Sequence, residues 1–163
     1  MKILGIDPGL HVCGYACVDV SSGTEKLIEA GFIKTDQKLD LEKKLVHIAD
    51  DMDAILDALR PTVIAVEQLY AHYAHPRTAI IMGHARGVIL QRCAARDIQI
   101  KSYSATKIKK SLTGNGRATK EQMQRTVQTV LGLAELPEPN DVADAIATAL
   151  CCAATLNSLA ISP

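Results

Sequence analysis

Hydrophobic and polar positions follow two periods along the chain, and the switches between them mark out the elements. The opening apolar run KILGID stops at Asp7 and an Asp-Pro-Gly turn signal, which predicts a buried strand over residues 2–7. The segment HVCGYACVDV, residues 11–20, alternates and is rich in β-formers. Ser-Ser-Gly then turns the chain into LIEAGFIKT, giving two further strands in a meander with the first. From 39 to 59 apolar residues at Leu41, Leu45, Ile48, Met52, Ile55, Leu56 and Leu59 keep a helical period, and Pro61 marks the end. TVIAVE, residues 62–67, is a continuous apolar run, the pattern of a strand covered on both faces, and it terminates at Glu67.

The second half reads as helix, strand and three helices. A long helix is predicted over 77–96 with Gly83, Ala85 and Gly87 in its middle. Each glycine lowers helix propensity by about 1 kcal/mol relative to alanine, so close backbone packing, including packing against a second subunit, is the expected compensation. IQIKSY predicts a fifth strand, followed by a short helix over 105–111 and a Gly-rich loop at 113–117. Thr119 is the expected N-cap of a helix running to Leu131. ELPEPN breaks the pattern, and an Ala-rich apolar helix follows over 141–156. This order of elements describes one α/β domain, residues 1–163, with a five-stranded mixed sheet flanked by helices on both faces.

Composition sharpens this picture at three points. Aromatic residues make up only 3% of the chain, so the core has to be built from Ile, Leu, Val, Ala and Met. The five cysteines show neither CxxC nor zinc-finger spacing and read as reduced, mostly buried thiols. No apolar run approaches the roughly 18 residues of a membrane span, and Asp7 interrupts the N-terminus too early for a secretory leader, so a soluble, cytoplasmic protein is expected.

The net charge of zero conceals a strong segregation. Residues 77–125 hold eleven basic and two acidic side chains, whereas the segments before and after are net acidic. A basic block beside acidic segments suits a protein that holds a polyanion with one region and a cation with another, although a Lys-rich solvated face would look the same.

Four carboxylates carry the candidate chemistry. Asp7 and Glu67 end the first and fourth strands, and Asp141 and Asp144 lie three apart at the start of the last helix, on one helical face. Taken singly, Asp7 could initiate a turn, and the helical pair could complement the helix dipole at roughly 0.3–1 kcal/mol each. If instead the four converge, their repulsion calls for hard divalent cations with a preference for oxygen ligands.

LGIDPG at 4–9 with Gly14-Tyr15 beyond it, AVEQLY at 65–70, GHARGV at 83–88, KIKKSLTGNGRATKEQM at 107–123 and NDVADAIA at 140–147 together resemble the RuvC family of Holliday-junction resolvases. These motifs run in family order over essentially the whole chain. The resemblance implies a ribonuclease H-like fold and a structure-selective endonuclease that resolves four-way DNA junctions by symmetric nicking, in recombination and repair. It implies that Asp7, Glu67, Asp141 and Asp144 bind two Mg²⁺ ions, with Mn²⁺ as a substitute, and that Lys109 and Lys120 approach the scissile phosphate. Tyr70 falls where the family carries an aromatic that contacts bases at the crossover. A homodimer, and a branch-migration complex of RuvA and RuvB type proteins, are the implied partners.

Around these residues, Lys107, Lys110 and Arg117 are expected phosphate contacts in the basic block, and Tyr73 is a further candidate for stacking on DNA. His72 and His75 are expected to meet phosphate or solvent, His11 and His84 to be structural, and Tyr15 to pack beside the first hairpin. Three alternatives stay open. The LGIDPG turn also resembles actin-like ATPases and sugar kinases, but 163 residues leave no room for their second lobe. The others are a ribonuclease H-like nuclease acting on RNA and a junction-binding protein without catalysis.

Overall fold

The computed structural model describes residues 1–21, 23–69 and 76–161. Strands β1 (Lys2–Asp7), β2 (Val12–Asp19) and β3 (Lys26–Lys34) form the meander. Helix α1 (Leu41–Leu59), strand β4 (Val63–Glu67), helix α2 (Pro76–Ala94), strand β5 (Gln99–Tyr103) and helices α3 (Ala105–Thr113), α4 (Lys120–Leu131) and α5 (Asn140–Ile161) follow. The sheet order is β3-β2-β1-β4-β5, antiparallel on the meander side and parallel where β1 meets β4 and β4 meets β5. This is the mixed α/β, ribonuclease H-like arrangement that the sequence leads one to expect.

Alternation along the strands divides the core in two. Leu4 and Ile6 of β1, with Ile64 and Val66 of β4, pack on Ile48, Met52 and Leu56 of α1 and on Ala85, Ile89 and Cys93 of α2. Ile3, Val63 and Ala65 face the other way, onto α3, α4 and α5. Tyr103 is the one aromatic among the buried hydrophobic residues described, and all five cysteines are buried and free. Helix α2 is tied to α1 by Asp53, which pairs with Arg92 and, at 2.6 Å, with Arg96; Arg96 also reaches Asp57 at 3.0 Å.

Several boundaries differ from the sequence expectation. Helix α2 ends two residues early, because the chain turns through Asp97 at φ 54° into β5. Helix α3 runs on to Thr113, where Gly114 at φ 74° closes it with its N–H on the Lys110 carbonyl. Helix α5 continues to Ile161, past the expected 156, since nothing in its sequence caps it earlier. Helix α4 starts as expected, with Thr119 and Gln122 forming a reciprocal capping box. Gly83 and Gly87 have open space where a Cβ would stand, so packing among the described residues does not account for them. His11 and His84, expected to be structural, are both exposed, whereas Tyr15 is half-buried and donates its hydroxyl to Glu29 at 3.0 Å. No helix among the described residues is long and apolar enough to cross a membrane.

Candidate active site

Two strand ends and one helix start meet on the α3–α5 face of the sheet. Asp7 closes β1 and Glu67 closes β4, and these strands are parallel neighbours, so both side chains leave the sheet at the same edge. The parity that turns Ile3 toward α5 and Leu4 toward α1 carries Asp7 to the α5 side, and Glu67 follows Val63 and Ala65 there.

Asp141 and Asp144 arrive because α5 lies almost on the backbone of β1 and β2. A Cβ on Gly5 would stand 2.1 Å from the Ala145 carbonyl oxygen, and one on Gly14 would stand 2.0 Å from that of Asp141. Only glycine permits that approach. Gly14 is also the cross-strand partner of Asp7, so the first turn of α5 is set down beside the β1 carboxylate.

Asp7, Glu67 and Asp144 share a cleft of about 270 Å³ with Lys109 of α3 and Lys120 of α4, over an apolar floor that includes Ile108 and Met123. Asp141 does not line this cleft. It borders a neighbouring, more apolar groove with Gly9, His11 and Met82, yet its charge still acts on Asp7.

The electrostatics are those of crowded carboxylates opposed by two lysines. Burial, and then repulsion from Glu67, Asp144 and Asp141, pushes the Asp7 carboxyl up to about 8 against the opposing pull of Lys120. Burial and Asp144 raise Glu67, with Lys109 and Lys120 opposing. Asp144 is raised by burial, with Lys120 the largest opposing influence. Desolvation leads in all three, as expected of carboxylates taken into a cleft.

The donor set consists of oxygens only, the choice of a hard cation. Among the described residues no group of three or more His, Cys, Asp or Glu side chains forms a ready-made cage for an ion. Mg²⁺ usually takes only one or two protein carboxylates and completes its shell with waters and substrate phosphate oxygens. Carboxylates as crowded as Asp7, facing an open cleft, fit that pattern.

Lys107, Lys110 and Arg117 do not line the cleft. Lys107 is exposed, with Nζ 5.0 Å from the centre of the Tyr103 ring, and with Lys110 it lines a separate surface groove beside Ser104, Thr106 and Ser111. Arg117 is exposed in the loop before α4, which Asn115 Oδ1 stabilises by accepting the Arg117 N–H at 2.9 Å. Tyr70, Tyr73, His72 and His75 fall outside the described residues. One residue without a role in the sequence reading stands out, Arg86 of α2. Its Nε donates to the Glu67 carbonyl at 3.2 Å and its Nη2 to Ser102 Oγ at 3.0 Å. The available signal was its position inside the GHARGV segment.

Residues 3–152 match the family described as crossover junction endodeoxyribonuclease RuvC. A relative of that name from Rhodopirellula baltica is 45% identical over 149 residues, covering 91% of this chain and 84% of the relative. One from Caldicellulosiruptor saccharolyticus is 41% identical over 152 residues, covering 93% and 91% respectively. Among solved structures, Thermus thermophilus RuvC in complex with Holliday junction substrate superposes with a TM-score of 0.87 at 27% identity, over 97% of this chain and 96% of that one.

Proposed function

The chain belongs to the RuvC family of crossover junction endodeoxyribonucleases, and from that premise we propose that it resolves four-way DNA junctions by metal-dependent nicking of opposed strands. The observation that carries this reading is the convergence of Asp7, Glu67 and Asp144 with Lys109 and Lys120 in one cleft. The nicks carry 5′-phosphate and 3′-hydroxyl ends, and the reaction serves recombination and repair.

Asp7, Glu67 and Asp144, with Asp141 from the neighbouring groove, would hold two Mg²⁺ ions, for which Mn²⁺ would substitute. When bound, such ions supply an activated water and charge stabilisation at the leaving oxygen. The chain's own residues do the rest. Lys120 and Lys109 face the carboxylates and orient and neutralise the scissile phosphate, an electrostatic contribution often worth about 3 kcal/mol. Ile108 and Met123 form an apolar wall beside the reacting phosphate, which keeps these charge interactions strong. Lys107, Lys110 and Arg117 take phosphates further along the arms, giving affinity that falls steeply with salt. Tyr70 and Tyr73 follow the cleft in sequence and serve as base contacts at the crossover.

A two-fold dimer matches a substrate cut on two opposed strands. In support, among the described residues Gly83 and Gly87 of α2 face open space, and Ile80, 63% exposed, borders an apolar groove with Leu10 and Ile81. A cytoplasmic location and association with RuvA and RuvB type proteins belong to the same reading.

The test is an end-labelled four-way junction incubated with the protein and Mg²⁺, beside an RNA–DNA hybrid and the Glu67→Gln variant. Symmetric nicks in the junction, absent in the variant although it still binds, are expected. Junction binding without nicks in the wild type, or preferential cleavage of the hybrid, would overturn the proposal.

A further inference from the structure

We propose that Arg86 positions Glu67 by gripping its main chain from the opposite face of the sheet, an inference that rests on the metal-site reading above. Glu67 is the last residue of β4, so the strand ladder does not continue past it to hold its backbone direction. The peptide unit between Glu67 and Gln68 is nevertheless tied at both polar atoms. The Gln68 N–H donates to the Tyr103 carbonyl on β5 at 2.8 Å, and the Glu67 carbonyl accepts from Arg86 Nε at 3.2 Å. With that plane held, the main-chain torsion at Glu67 is restricted, and with it the direction in which the side chain enters the cleft.

The arginine is suited to this task. Its second arm reaches Ser102 Oγ on β5 at 3.0 Å, so one planar guanidinium spans β4 and β5. Ser102 and Val66 are register partners, which sets the bridge one residue before the carboxylate. The base of the side chain is rigid as well. Ala85 and Ile89 are fully buried on the sheet, and the Arg92 and Arg96 pairs with Asp53 anchor α2 on α1. Arg86 therefore acts on the cleft from the α1–α2 side, through backbone, and needs no contact with substrate or ion.

Groups that orient metal ligands typically change metal affinity or activity by about 10–100-fold when removed. Arg86→Met, which keeps length without donors, and Arg86→Lys, which keeps charge but not the two-armed bridge, separate hydrogen-bond geometry from charge. The readout is Mn²⁺ binding to the intact protein, followed by electron paramagnetic resonance of free Mn²⁺ below the melting temperature, with junction affinity measured in EDTA. Both variants are expected to bind Mn²⁺ about 10-fold more weakly while junction affinity stays at the wild-type value, and Ser102→Ala is expected to show a smaller effect in the same direction.

Unchanged Mn²⁺ affinity in both variants, even with a lowered Tm, would reduce Arg86 to a structural residue and overturn the proposal. Full rescue by lysine would overturn it by showing that charge alone matters, and loss of junction affinity in EDTA would make Arg86 a DNA contact instead. Wild-type protein that binds no Mn²⁺ sensitive to Asp7→Asn would refute the metal-site reading itself, an outcome distinct from the others.

Discussion

Replacing Asp7 by Asn is expected to stabilise the metal-free protein while abolishing nicking. The Asp7 carboxyl stands at about 8 in the folded chain against an ordinary value of 3.8, chiefly through burial and then through Glu67, Asp144 and Asp141. A carboxyl raised on folding binds its proton more tightly in the native state. The stability linked to that proton is fully present below about pH 4 and is lost as pH rises through about 8. At about 1.4 kcal/mol per pH unit, keeping Asp7 protonated in the folded chain while the unfolded chain ionises costs the native state on the order of 4 kcal/mol at pH 7, an upper figure because relaxation and water entry reduce buried-charge penalties. Asparagine keeps the shape, has no proton to lose in either state and presents an amide to the Glu67 and Asp144 carboxylates. A gain of about 2–4 kcal/mol corresponds to a Tm rise of roughly 5–15 °C in a chain of this size.

The assay is thermal unfolding of both proteins in EDTA at about pH 5, 7 and 8.5, repeated with Mg²⁺. The advantage of Asp7→Asn should grow with pH and level off above about 8. Added Mg²⁺ should then raise the wild type alone and narrow the gap. An equal or lower Tm for the variant in EDTA, or a gain independent of pH, would refute the electrostatic account of the cleft.

Other expectations follow from the same geometry. Lys109→Ala should slow nicking by about 10²-fold, the scale of a lost transition-state donor, and flatten the dependence of junction affinity on log salt by about one counterion; an unchanged rate and slope would remove it from the site. Gly14→Ala puts a Cβ 2.0 Å from the Asp141 carbonyl oxygen, so it should displace the start of α5 and impair nicking as well as lowering Tm, whereas a fully active variant would show that this approach does not set the carboxylates. Asp53→Asn strips the shared partner from Arg92 and Arg96 and should cost about 1–3 kcal/mol, or roughly 3–10 °C in Tm, with nicking retained at lower temperature. Because Arg92 and Arg96 hold the Asp53 carboxyl below its ordinary value, the wild-type contribution is present at neutral pH and lost as pH falls through that depressed value, so the two melting curves should converge in acid.

Elements with strong local signals were readable without coordinates. KILGID and TVIAVE are apolar runs stopped by a carboxylate, and the structure has β1 and β4 ending at Asp7 and Glu67. Thr119 with Gln122 three residues on is a cap that works through its own side chains, and α4 begins there. Boundaries without such a signal drifted, as at the end of α5, where an uninterrupted apolar helix carries no local mark for its last turn. Gly83 and Gly87 suggested close packing, within the chain or against a second subunit, and among the described residues they face open space, since a glycine records that room is available and not what fills it.

What the sequence determined by itself was the inventory and its order: two strand-terminal carboxylates, a helical pair three residues apart, a basic block holding Lys109 and Lys120, and motifs specific enough to imply the family. Each of these depends on near neighbours along the chain. What only the tertiary structure decided was proximity: that Asp7, Glu67 and Asp144 share one cleft with both lysines while Asp141 lines a neighbouring groove, and that Arg86 donates a hydrogen bond to the Glu67 carbonyl. The physical reason is that strand parity, the parallel pairing of β1 with β4 and the close seat of α5 on Gly5 and Gly14 join residues far apart in the chain. Such contacts leave no periodicity to read; they exist once the sheet has formed and the last helix has packed against it.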